Sequence, residues 1–383
     1  MLTPQSLRLV SRSGPTTPFL SLPLSKPASI STLRFTSSLP FIHSSNRRAS
    51  RLTPPHLRSS TLSTIHNAAQ TTTQKLSSRG ITTMPPFNDA VVKLMRELYP
   101  EELADKSWDN TGLLVDQAPS LAERAVSELV PKVLLTNDLT AGVVDEALQW
   151  DINVIVCYHP VIFRPLKCLT TKDPLQAQLL RLIAAGITVY CPHTAVDAAV
   201  GGLNDWLCDI LIYGSEEVRR AVAEPISRPL PGHLQGQDVG YGRSFELSQS
   251  ITLSTLLKRL STGIGGQRYM MVALPPTLSD LAKAPMITKI AVCAGSGADV
   301  LKNTDAQVLV TGEMAHHYAL RHIQLGQIVV TCFHSNSERK FLEQRLKPAL
   351  EERLQAAGYG NAVVLTSSAD RDPFDIIDVQ NLG

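Results

Sequence analysis

Residues 152–157 read Ile-Asn-Val-Ile-Val-Cys, and Tyr158-His159 follow at once. A short apolar run closed by polar residues is the pattern of a strand buried on both faces. Before it, residues 141–150 read as a helix with Val143, Val144, Ala147 and Leu148 apolar, and residues 132–136 (KVLLT) read as a strand. After it come a helical stretch at 174–186 and the strand-like ITVYC at 187–191. This alternation predicts α/β layers with mainly parallel strands. The first ordered element is expected at Asn88, a capping residue with Asp89 in the first turn, followed by Val91, Leu94, Met95 and Leu98 at helical spacing and by Pro100.

Further along, residues 214–238 carry Pro225, Pro229, Pro231, Gly232 and Gly236 and read as a linker or excursion. A second α/β stretch follows: a helix near 253–261, strands near 268–274, 288–293, 306–311 and 327–332, a closing helix over 337–356 and a last strand at 361–366. The expected division is a leader at 1–87, a first lobe at 88–213, the excursion at 214–238 and a second lobe at 239–383. The halves read as distant repeats, one strand ending in Tyr158-His159 and its counterpart in Gly312-Glu313.

The net charge of +2 conceals an asymmetry. No acidic residue precedes Asp89, while ten of the 36 basic residues do; the 26 left face 34 acidic residues, a net of −8. A basic, Ser/Thr/Pro-rich, acid-free N-terminus is the composition of a mitochondrial transit segment, and Met84 offers a start for a shorter cytosolic form. An acidic body argues against broad nucleic-acid binding, which calls for a basic face. No run of 18 apolar residues marks a membrane span. The six cysteines form no CxxC pair and sit mostly in apolar runs, as buried reduced thiols do.

Candidate chemistry gathers just past strand ends, where the loops of α/β sheets border a crevice. His159 follows INVIVC. His193 and Asp197 follow ITVYC in CPHTAVDAA, where a carboxylate among Ala195, Val196, Ala198 and Ala199 is poorly solvated unless paired or coordinating. His334 and Glu338 follow QIVVTC at i,i+4, on one face if the turn is already helical. Each has a plain alternative: a strand-end histidine bonded locally, an Asp197 that caps a helix near Gly201, or a Ser335 or Ser337 cap with Glu338 as a first-turn charge. Taken together, imidazole and carboxylate from three strand ends suit Zn, Fe, Mn, Co or Ni. Four or five ligands exceed the needs of one open ion, which suggests two ions sharing a carboxylate. Gly295-Ser296-Gly297, after a strand and before a helix, are candidates for a phosphate cradle, with a tight turn as the alternative. Glu313 and His317 stand at i,i+4 in TGEMAHHYAL, with a surface helix face as the plain reading.

The successive segments SWDNTGLLV, CYHPVIFRPLK, CPHTAVDAA with GGLNDWL, AVCAGSGADVL, TGEMAHH and FHSNSER resemble, in order, the signatures of the NIF-three-like (YbgI-like) family, and cover nearly all of 90–383. The resemblance implies a two-lobed α/β protein that assembles as a toroidal homohexamer, with two divalent ions per subunit. Carried over by position, it makes His159, Asp197, His334 and Glu338 the metal ligands and Trp108, Asp109 and Asn110 a wall of the site. Tyr158 departs from the adjacent-histidine pattern of bacterial members, leaving one ion held more weakly or by His193. Two functions compete: a metal-dependent hydrolase acting on a nucleotide or phosphoester, in line with the family's GTP cyclohydrolase type 2-like label, and a non-catalytic metal-binding interaction protein of the transcription-coregulator kind.

Overall fold

A computed structural model describes residues 86–117, 130–214 and 217–381, all within one compact unit, Ile81–Gly383. Most of the leader, residues 1–85, lies outside the described residues, and so do the expectations of import and of a start at Met84. The chain begins with helix α1 (Phe87–Leu98) and strand β1 (Gly112–Val115), then alternates β2 (Lys132–Thr136), α2 (Ala141–Gln149), β3 (Val154–Cys157), α3 (Pro174–Ala185) and β4 (Thr188–Cys191). Helices α4 (Thr194–Ala198) and α5 (Leu203–Ile212) lead into β5 (Glu217–Pro225), β6 (Gly240–Ile251), α6 (Leu253–Gly263), β7 (Met271–Ala273) and β8 (Ile287–Ser296). Helix α7 (Ala298–Leu301), β9 (Val308–Glu313), α8 (His316–Gln324) and β10 (Ile328–Thr331) follow. Last come α9 (Arg339–Phe341), α10 (Lys347–Ala356) and β11 (Val363–Thr366).

Local chemistry sets these boundaries. Thr140 caps α2 by accepting from Val143 N, and Asp173 caps α3 by accepting from Gln176 N, with Pro174 next. Helix α3 ends at Gly186, whose φ of 73° suits a residue without a Cβ. Strand β2 shows why apolar runs became inner strands: Val133 and Leu135 join one buried cluster and Leu134 the cluster on the opposite face.

The strands form a five-stranded sheet, β1-β4-β3-β2-β11, and a six-stranded sheet, β5-β6-β8-β9-β10-β7. Five of the nine pairings are parallel, so the α/β expectation of mainly parallel sheets holds. The sheets share a motif. β1 precedes β2, β3 and β4 and pairs antiparallel with β4; β7 precedes β8, β9 and β10 and pairs antiparallel with β10. Each half is thus an edge strand followed by three parallel strands laid down in order.

Several boundaries differ from expectation. Asn88 does not cap α1: Pro86 holds the cap position, and the Asn88 amide donates to Thr188 Oγ1 at 2.7 Å. The 214–238 stretch is not simply a linker, because β5 lies in it, paired with β6. As an edge strand β5 is paired along one side, and its residues 219–225 are half-buried or exposed, so it lacks an apolar run; Pro225 is its last residue and the other prolines follow it. Strand β6 escaped notice because its inward residues include Arg243 rather than aliphatics alone. The second lobe does not own the C-terminus, because β11 returns to pair with β2. The closing helix is broken: a 3-10 turn at Ser335–Ser337 precedes α9, and a π turn at Leu342–Leu346 precedes α10. Pro348 has no N–H for the Gln344 carbonyl, and the helix widens in the turn before it.

Candidate metal site between the two sheets

Strand ends from both sheets converge. His159 lies two residues past β3, and His334 three residues past β10. Nε2 of His159 is 3.5 Å from Oε2 of Glu338, and Nε2 of His334 is 3.4 Å from its Oε1. The three side chains offer ligand atoms within 4.8 Å of one another, close enough to hold a metal ion. Glu338 is 2% exposed and accepts one amide bond, from Asn137 Nδ2 at 2.9 Å. The Ser335 or Ser337 cap is not formed: Ser337 Oγ donates to the His334 carbonyl, and Ser335 Oγ donates to Asp372.

Both imidazoles are held from behind. Asp138 Oδ1 lies 2.9 Å from His159 Nδ1, and Glu313 Oε1 lies 3.1 Å from His334 Nδ1. A carboxylate on Nδ1 fixes the ring and leaves Nε2 as the ligand atom, the usual support of metal-bound histidine. Gly295 (φ 60°) completes the pocket, since a Cβ there would sit 2.7 Å from Glu338 Oε1 and 3.2 Å from His334 Nε2. Strained backbone gathers here too: His193 has φ 32° and Phe333 has φ 70°, two of three positive values among described non-glycine residues.

The other expected residues divide. Asp197 is in helix α4 rather than at the start of α5. It lines the same cleft but stands outside the His159–His334–Glu338 cluster, its Oδ1 accepting from Tyr158 OH at 2.7 Å. Burial pushes the Asp197 carboxyl up, and burial beside Asp197 and Glu338 pushes the Tyr158 phenol well above its ordinary value, so Tyr158 is a neutral donor. His193 points Nδ1 at Asp109 Oδ1, 2.7 Å away. Burial opposes ionisation of Asp109, but the His193 and Thr194 bonds outweigh it and hold the carboxyl below its usual range. Trp108 borders the cleft, whereas Asp109 stands behind His193 and Asn110 ties its amide to the Ile162 carbonyl. Only Trp108 of that motif is therefore a wall. The phosphate cradle at 295–297 is corrected: Gly295 N donates to Ser337 Oγ and Gly297 N to Thr311 Oγ1, so these amides are spent inside the protein. Glu313 ends β9 and His317 begins α8, so they share no helical face.

Asn137 and Asp138, just past β2, went unread although KVLLT ends in Asn-Asp as INVIVC ends in Tyr-His. The cleft bordered by Tyr158, His159, His193 and His334 measures about 730 Å³. Its lining carries Asp105, Asp197, Glu224, Asp299 and Glu338 against the single guanidinium of Arg228. That excess of carboxylates suits cations and repels a bare anion.

Burial pushes the Glu338 carboxyl from 4.5 up to about 7, against the pull of His334 and Asn137. Between those values the folded, metal-free chain keeps a proton that the unfolded chain has released, so stability falls as pH rises through the window, by at most about 3 kcal/mol. Chelator-treated protein should lose more melting temperature from pH 5 to 7.5 than Glu338→Gln does, and added divalent ion should remove the difference. Equal losses in both proteins would show that Glu338 carries no such burden.

The model of the family described as Duf34/NIF3 (NGG1p interacting factor 3) matches residues 88–373. The chain is 39% identical over 292 residues to NGG1-interacting factor 3 of Saccharomyces cerevisiae, covering 75% of this chain and 96% of that protein. It is 42% identical over 282 residues to the NIF3 homolog of Schizosaccharomyces pombe, covering 73% and 95%. Among solved structures, a Bacillus cereus protein related to NIF3 superposes with TM-score 0.63 at 23% identity over 77% of this chain and all of that one, a likeness of fold.

Proposed function

The chain belongs to the Duf34/NIF3 family, and on that premise we propose that it binds two divalent ions, which His159, His334 and Glu338 would hold, and hydrolyses a nucleotide or phosphoester. One observation carries this reading: the two oxygens of a buried carboxylate each face the Nε2 of a different imidazole. His159 and Glu338 Oε2 would hold one ion, and His334 and Glu338 Oε1 the other, with Asp197 and His193 nearest for further coordination. Zn, Fe, Mn, Co or Ni suits such donors. When bound, the ions supply Lewis acidity, which brings the pKa of a water there down to about 7. The protein's own part is to orient the imidazoles through Asp138 and Glu313 and to offer Arg228 to an anionic group. With five carboxylates in the cleft, an anionic substrate is admitted once positive charge is bound there.

A turnover panel of nucleotides and phosphoesters tests the hydrolase reading on the full chain, metal-loaded and metal-free. Hydrolysis that needs metal and is lost in Glu338→Gln supports it. Loaded protein that turns over nothing would leave the second reading, a metal-stabilised interaction protein, for which the yeast relative's name as an NGG1-interacting factor speaks. We further propose that the chain assembles as a homohexamer and that its basic N-terminal segment directs mitochondrial import.

A further inference from the structure

Beside edge strand β1 lies a second cavity of about 610 Å³, lined among others by Leu114, Val115, Leu166, Leu169, Leu179 and Ile183. Leu166, Leu169 and Ile183 are each about two-fifths exposed. Among the described residues β1 pairs with β4 alone, so its other edge presents unpaired backbone N–H and C=O groups to a strand-like segment. The loop over this groove, residues 162–172, carries Arg164, Lys167 and Lys172 and no acidic residue. Asp116 is the one acidic group in the lining.

The C-terminal segment has the matching character. After Arg371 the chain reads Asp-Pro-Phe-Asp-Ile-Ile-Asp-Val, with three carboxylates and no basic residue to its end. Phe374 is 77% exposed, Ile376 52%, Ile377 57% and Val379 74%, an unusual run of apolar side chains left in water. The segment leaves from β11, at the opposite edge of the sheet from β1. Its base is held elsewhere by Ser335 Oγ donating to Asp372, and Pro373 and Phe374 line a pocket with Met271, His159 and His334. No described residue of the segment lines the groove.

We propose that residues 375–379 of one copy dock in the β1–α3 groove of a second copy of this chain, adding to the β1 edge with apolar side chains in the groove and carboxylates against its basic loop. This is recognition by strand addition, in which backbone bonds give affinity and side-chain pockets give register. The groove shares no lining residue with the metal cleft, so the proposal stands whether or not the chain is a hydrolase.

Cys168 makes the contact testable, since it lies in the groove and is the exposed one of six free cysteines. A tagged full chain carrying Ile376→Cys and Cys168→Ser is co-expressed with untagged, unsubstituted chain, and the purified mixture is oxidised mildly. The expected product is a covalent tagged–untagged dimer, reversed by reductant and absent when the untagged chain also carries Cys168→Ser. Both positions are exposed, so neither change touches the core. No mixed dimer would overturn the proposal, and so would one that persists without Cys168. In the Ile376→Cys single variant, a disulfide confined within one chain would place the tail in its own groove and also overturn it.

Discussion

Glu338→Gln should bind divalent metal at least about 100-fold more weakly than the unsubstituted chain while melting as a folded protein. The amide keeps the size of the side chain and a partner for Asn137, but it cannot present two anionic oxygens to His159 and His334. Losing a group that merely supports a ligand costs about 10- to 100-fold in affinity, and Glu338 is placed as the ligand itself. A first-turn charge on a helix would contribute only about 0.3–1 kcal/mol. Calorimetric titration of chelator-treated protein separates the two. Metal should also raise the melting temperature of the unsubstituted chain and not of the variant, because a ligand of the folded state stabilises by mass action. Equal affinities would return Glu338 to an ordinary buried carboxylate.

The second large effect is on stability alone. Arg243 is 2% exposed on β6, and its guanidinium donates to Asp205 Oδ1 at 2.8 Å and to the carbonyls of Gly240, Gly242 and Ala199. It thereby fastens the first turn of α5, and the bend after α4, to the second sheet. Arg243→Met fills the space but leaves three carbonyls without that donor and Asp205 with Arg220 and the Gly201 amide, which should cost about 3 kcal/mol. For a body of this size that is a fall in melting temperature on the order of 10 °C. Asp197 lies in the same α4, so the metal cleft should loosen with it. A fall of about one degree or less would show that the network is dispensable.

How far the sequence disclosed this arrangement depended on periodicity. Strands β2, β3, β4 and β10 are apolar at their centres and are readable from INVIVC and its counterparts. The polar residues at their ends pointed to His159, His334 and Glu338. Strands β5 and β6 were hidden because an edge strand and a strand with a buried arginine have no apolar run. The return of β11 to the first sheet is a long-range pairing, and no local pattern encodes it. The breaks around Glu338 were missed because 337–356 has helical composition, while Pro348 and the 3-10 entry decide the geometry.

The internal repeat is legible at β3 and β9, the second parallel strand of each half, and the same motif extends it to the third. The fold aligns β4 with β10, the third strand of each parallel run, and so aligns His193 and Asp197 with His334 and Glu338. Both pairs are i,i+4, and each follows a positive-φ residue at or just before its histidine. Chemistry separates them: His334 turns Nε2 to its own acid, while Asp197 accepts from Tyr158. The phosphate-cradle reading failed because glycine was taken for ligand access. Gly295 is there so that its missing side chain leaves room for Glu338 and His334.

Anomalous diffraction from crystals of the full chain grown with saturating divalent metal tests the central claim most directly. The account predicts two peaks per chain, one on His159 Nε2 and one on His334 Nε2, both bonded to Glu338. A single peak, or none touching Glu338, would contradict it.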